Sequence, residues 1–228
     1  MSVSVLRGAL SGVQHVLLDF DGPVCHVFAA LPAPRVAQEL NQLYQERAGA
    51  AFPWHVSSHG DPLEVVQAAG QNDDPHLRML ADALTAAELR AVETAELTPG
   101  ALQAIAACQR SGRTVSIVSN NGEEAVRRFL QRHGVADLVT PVIGRSSNVA
   151  LMKPDPFPVR QALQQLGARP EEAVLVGDSP SDVQAAIGAG VRPVGYANKD
   201  GKRARLANAG ATAVISSMGD LAEALTDG

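Results

Sequence analysis

From Thr114 onwards this chain repeats one unit: a short apolar run, a polar turn and an amphipathic helix. Thr114 to Val118, Leu138 to Ile143 and Ala173 to Val176 read as strands, with Val191 to Tyr196 and Ala211 to Ile215 as further candidates. Between and after them, Glu123 to His133, a stretch ending near Gly167, one running to Ala189, and Leu221 to Leu225 read as helices. Such a rhythm implies a parallel sheet with right-handed crossovers, because parallel neighbours are joined only by a long connection over a sheet face. The predicted fold class is α/β, a Rossmann-like doubly wound parallel sheet.

The first half is different. Val16-Leu17-Leu18 is a buried strand, but residues 24 to about 97 then lose strand character. Arg35 to Ala48 has Val36, Leu40 and Leu43 at helical spacing after Pro34. Asp61-Pro62 with Glu64 reads as a helix start and Gly70 as its stop. A third run opens at Asp73 or Asp74, is expected to bend near Leu84-Thr85, and reaches Leu97. Thr98-Pro99-Gly100 then starts a helix from Ala101 to Arg110. The predicted organisation is a core domain, residues 1–23 and 98–228, with a small helical cap inserted over 24–97.

What ends each strand carries the chemistry. Strand one stops at Asp19 and Asp21, spaced i, i+2, so their side chains share one face before the Gly22-Pro23 turn. Like charges that close repel unless a cation lies between them or one keeps its proton. Strand two ends in Ser119 and Asn120, just before a helix whose free N–H groups favour an anion. Lys153 precedes another helix, and a later strand ends in Asp178 with Asp182 four residues on. The carboxyl ends of parallel strands lie along one edge, where open α/β sheets bind ligands. Carboxylates for a hard cation, a lysine for a dianion and a hydroxyl beside backbone amides are the set that phosphoryl transfer requires.

Four motifs in this order resemble the haloacid dehalogenase superfamily: DFDG at Asp19 to Gly22, VSN at Val118 to Asn120, KPDP at Lys153 to Pro156 and GDSPSD at Gly177 to Asp182. The helical insert is similar to the small cap of the phosphoglycolate phosphatase and β-phosphoglucomutase branch. The resemblance implies Asp19 as nucleophile, becoming an aspartyl-phosphate, and Asp21 as the acid and base. It implies Mg²⁺ held by the Asp19 carboxylate, the Asp21 backbone carbonyl and the Asp178 carboxylate, with Asp182 supporting the metal site. Ser119, Asn120 and Lys153 would bind phosphate. Asp21 sets the chain apart from the halide-releasing and phosphonate-cleaving branches, which lack an acid there. Pro23 departs from the usual Thr or Val, and its missing N–H alters what that loop can offer a phosphate. The implied function is hydrolysis of a small phosphorylated metabolite. A phosphomutase, or an idle member serving as a binding or regulatory module, is the alternative.

A net charge of −5 argues against nucleic acid as the main partner, and no run approaches the roughly 18 apolar residues of a membrane span. Two cysteines without a metal pattern, and no signal-like N-terminus, suggest the cytoplasm. Oligomeric state is not legible. Several residues take the plainer of two readings: Cys25 as a packed thiol, Arg35 as a surface residue, Trp54 as packing within the insert, and His55 with His59 as a solvated loop. The basic run Lys199 to Arg205 reads as a solvated face, and Asn121 as unremarkable.

Overall fold

The computed structural model describes residues 3–56 and 60–226. Six strands form one sheet: β1 (His15–Leu18), β2 (Thr114–Val118), β3 (Val142–Ile143), β4 (Ala173–Gly177), β5 (Arg192–Tyr196) and β6 (Ala213–Ile215). Their order is β3-β2-β1-β4-β5-β6 and every pairing is parallel. Leu18 of β1 stands between Ile117 of β2 and Val176 of β4. The chain winds outward from β1 in one direction and returns to β4 to wind in the other, so the switch point lies at the carboxyl ends of β1 and β4.

Alternation along β1 explains the two layers. Val16 and Leu18 face a core shared with α1 (Val3–Leu10), α5 (Ala101–Arg110), α6 (Glu123–Arg132) and α10 (Met218–Thr226). Leu17 faces the other way, onto α7 (Phe157–Leu166) and α8 (Pro180–Gly188). The helix α9 (Lys202–Asn208) covers the β5–β6 side through Leu206. Leu6, Ala9 and Leu10 make α1 part of the core, an element that the short apolar run at the N-terminus did not announce. No helix among the described residues is long and apolar enough to cross a membrane.

The insert holds α2 (Ala33–Ala48), α3 (Pro62–Gln71) and α4 (Leu77–Val92), packed around an apolar cluster of their own that includes Val36, Leu40, Val65 and Leu80. Asp61 caps α3 by accepting from the Leu63 N–H at 2.9 Å. Buried Asp74 organises the rest, accepting from Tyr44 Oη at 2.9 Å, Trp54 Nε1 at 3.2 Å and the His76 N–H at 2.8 Å. Trp54 therefore packs within the insert, and Arg35 is an exposed partner of Glu39. His55 is exposed, while His59 lies outside the described residues.

Three expectations need correction. Helix α4 runs unbroken through Leu84-Thr85, because the Thr85 hydroxyl bonds back to the Ala81 carbonyl without disrupting the ladder, and it stops at Val92 rather than Leu97. The third strand shrinks to Val142–Ile143: residues 136–138 turn as a 3₁₀ helix, and Pro141 has no N–H for a ladder. Lys199 to Arg205 is largely exposed and starts α9, as expected, but it is not merely a solvated face: Arg203 donates to the Val214 carbonyl and the Ser216 hydroxyl, and Lys202 to Asp178.

Phe20, between the two acidic residues, meets Phe129 of α6 edge-to-face with ring centroids 5.2 Å apart, both fully buried. Phe129→Ala is expected to cost about 3–5 kcal/mol through lost burial and the cavity left behind. Urea unfolding measures it, and a loss below about 1 kcal/mol would show that Phe129 does not anchor the β1 turn.

Candidate active site

Asp19 extends β1 by one residue, its N–H donating to the Val176 carbonyl at 2.9 Å. Its Oδ1 accepts from the Phe20 N–H at 2.7 Å and from Lys153 Nζ at 2.8 Å. Asp21 Oδ1 accepts from the Val27 N–H at 3.0 Å. Gly22 takes φ +111°, and a Cβ there would lie 2.6 Å from Asp178 Cγ, so glycine is required for both backbone and clearance. Pro23 is buried in a turn whose Val24 and Cys25 N–H groups both return to the Phe20 carbonyl. The Cys25 thiol is buried with its pKa pushed well up, first by desolvation and then by Asp21, so it is a packing group.

Lys153 reaches into the switch point from the loop after β3. Its ammonium donates to Asp19 at 2.8 Å, to Asp182 Oδ1 at 2.5 Å and to the Val118 carbonyl at 2.8 Å. Burial alone would discharge it, but Asp182 and Asp19 hold its pKa above the usual lysine range. Asn120 grips the Lys153 backbone at both ends, donating from Nδ2 to its carbonyl and accepting its N–H at Oδ1, each at 3.0 Å. The Asn120 side chain is thus committed to placing Lys153 rather than turned to a ligand. The Ser119 hydroxyl lines the cavity, donating to Asn121 Oδ1 at 3.0 Å and accepting the Asn121 N–H at 3.1 Å.

Asp182 sits in the first turn of α8, where its Oδ2 accepts from the Ser179 N–H at 3.0 Å and the Ser179 hydroxyl at 2.6 Å. A Cβ on Gly177 would lie 2.3 Å from the Asp182 Cβ, which is why the strand must end in glycine. Asp178 pairs with Lys202 and receives Asn198 Nδ2 at 3.3 Å. Asp19, Asp21, Ser119, Lys153, Asp178 and Asp182 together line a cavity of about 330 Å³.

Burial, reinforced by Asp182, pushes the Asp19 pKa up to about 8 despite Lys153. Desolvation also raises Asp21, against the opposing hydrogen bond from Val27. Oxygens of Asp19, Asp178 and Asp182 all lie within 4.8 Å of one another. A set of carboxylate oxygens suits a hard divalent cation. Both Asp182 oxygens are already engaged, which leaves Asp19 and Asp178 as the side chains able to ligate directly.

Residues 58–196 match the haloacid dehalogenase-like hydrolases. The chain belongs to that family. It is 36% identical over 129 residues to a phosphoglycolate phosphatase of Rhodospirillum rubrum, a match covering 57% of this chain and 53% of that protein. A plasmid phosphoglycolate phosphatase of Cupriavidus necator is 29% identical, over 92% of each chain. CbbY from Rhodobacter sphaeroides, solved with phosphate, shares the fold at TM-score 0.67 and 20% identity, covering 92% of this chain and 96% of its own.

In this hydrolase the largest feature unforeseen from sequence is a buried ion pair. Glu88 of α4 accepts from Arg145 Nη1 at 2.8 Å and Nη2 at 3.0 Å. It also accepts from Asn121 Nδ2 and from the Gly122 N–H, each at 3.0 Å. One N–H expected to await a ligand at the start of α6 is therefore taken by Glu88. Asn121, far from unremarkable, links Glu88 to Ser119. The pair joins residues 57 apart, and no sequence spacing could have revealed it. Lys202 at Asp178 was hidden likewise within the basic run.

Glu88→Ala or Arg145→Ala leaves the other charge buried and unpaired, so each is expected to cost about 3–5 kcal/mol. The double replacement should cost clearly less than the sum of the two. Denaturant unfolding of all three variants checks this, and additive losses would show the pair to be uncoupled.

Proposed function

We propose that the protein is a Mg²⁺-dependent phosphatase that hydrolyses a small phosphorylated metabolite through a phosphate carried on Asp19. The observation that supports this best is the meeting of Asp19, Asp21, Asp178 and Lys153 in one cavity at the switch point of the sheet. Asp19 and Asp178, with the Asp21 carbonyl, would hold the cation, whose contribution is to neutralise charge between the carboxylates and the phosphate dianion. An Asp19 oxygen attacks phosphorus in line with the leaving oxygen, and the P–O bond to the alcohol breaks. Asp21, whose carboxyl burial shifts toward the protonated form against the opposing Val27 hydrogen bond, is the group placed to give a proton to that oxygen. It then removes a proton from a water that attacks the phosphorus of the aspartyl-phosphate, releasing phosphate and restoring the Asp19 carboxylate.

Ser119 takes a phosphate oxygen and Lys153 supplies its positive charge to the dianion from beside Asp19, while Asn120 contributes by holding Lys153 and Asp182 holds it from the other side. Residues 24–97 act as a cap that supplies the far wall of the cavity, and the remainder is the catalytic core. The buried free thiols of Cys25 and Cys108 suit a reducing compartment, the cytoplasm. The names of the relatives make 2-phosphoglycolate the reference compound for assays.

Phosphate release from a panel of phosphate monoesters is expected to need Mg²⁺. It should fall about a thousandfold or more in Asp19→Asn and about a hundredfold or more in Asp21→Asn. Turnover surviving Asp19→Asn would remove the mechanism.

The metal-free protein carries a pH signature. Asp19 titrates near 3.8 when unfolded and at about 8 when folded, so between these values the folded state binds more protons. Its contribution to stability therefore falls as pH rises through that window. Added Mg²⁺ should raise the melting temperature more at about pH 8 than at about pH 5. Equal shifts at both would mean that the cation does not act on this carboxylate.

A further inference from the structure

The far wall of the cavity, contributed by the insert, is built from Phe28, Ala33, Pro62, Leu63 and Leu84, with carboxylates at Asp61 and Glu88. Glu88 is neutralised by Arg145 behind it, so Asp61 is the charge this wall adds to the cavity. Among the described residues, the lining as a whole holds six carboxylates and one ammonium, that of Lys153. Lys153 lies on the core side with each of its three protons already directed at an oxygen. Arg35, near Ala33 in sequence, turns outward to Glu39 with its side chain 70% exposed.

A divalent cation and Lys153 can balance one phosphate dianion. A second anionic group on the same molecule would meet no cation among the described lining residues of the insert, would face Asp61, and would lose hydration against apolar side chains. An uncharged group avoids that cost, and a cationic one gains from Asp61.

We infer that the substrate is a phosphate monoester of a small alcohol that is uncharged or cationic, and not one bearing a carboxylate or a second phosphate. The inference rests on the phosphatase reading above. It separates this chain from what the names of its relatives suggest, and it makes Asp61 a specificity-determining residue.

Three two-carbon esters of matched length isolate the charge: 2-hydroxyethyl phosphate, O-phosphoethanolamine and 2-phosphoglycolate. With Mg²⁺ present, kcat/KM for 2-phosphoglycolate is expected to be at least about tenfold below that of both others. Asp61→Asn keeps an oxygen to cap α3, so the helix start survives while the charge is lost. It should narrow the ratio between O-phosphoethanolamine and 2-phosphoglycolate several-fold. For any ester not turned over, competition against p-nitrophenyl phosphate hydrolysis reads the same ranking. Hydrolysis or competition by 2-phosphoglycolate equal to or better than the others would overturn the inference and leave the phosphatase reading standing. No phosphate release from any compound, p-nitrophenyl phosphate included, would overturn the phosphatase reading and this inference with it.

Discussion

One buried ammonium makes this site possible. Without Lys153, Asp19 and Asp182 would place two carboxylates side by side in a region nearly closed to water with nothing to oppose the burial and repulsion that already push the Asp19 pKa up. Lys153 satisfies both, and spends its third proton on the Val118 carbonyl at the end of β2. The ends of β1 and β2 and the first turn of α8 are thereby tied to one point. Removing two charges from water is expensive, and only complete hydrogen bonding recovers that cost. The Val118 carbonyl on the ammonium, and Ser179 and the Phe20 N–H on the carboxylates, complete it.

The same logic recurs a short distance away with the signs exchanged. Glu88 is a buried anion from the insert, surrounded by donors from the loops after β2 and β3. The loop leading from β3 to Lys153 meets the insert twice, at Arg145 and at Val149, whose side chain comes so near Gly70 that a Cβ would lie 2.4 Å from it. The loops that carry Ser119 and Lys153 and the insert wall of the cavity are therefore mechanically connected. Ser119, Asn121 and Glu88 form one hydrogen-bonded line between them.

The legible residues were those whose role depends on near neighbours in the chain. Asp19, Asp21, Ser119, Lys153, Asp178 and Asp182 were found because each follows a strand or opens a helix, and parallel strands gather such positions on one edge. Asp61 as a helix cap and Gly167 as a helix stop were equally local. The bend assigned to Leu84-Thr85 failed because a threonine can bond back to its own helix and stay in it. Lys202 was lost in a basic run because nothing nearby in sequence distinguishes a lysine in solvent from one whose partner is Asp178.

By itself, then, the sequence determined the α/β sheet, the helical insert, the four motifs that meet at the cavity and the membership of a hydrolase family. The sheet and the insert follow from periodicity and turn residues, which act within a few residues, and the family follows from the resemblance of its short motifs. Tertiary structure alone decided that Asn120 serves Lys153, that Glu88 pairs with Arg145, and that the far wall of the cavity is apolar with Asp61 on it. Those relations join segments tens of residues apart. They arise only when burial removes water as a partner and each polar group must find another.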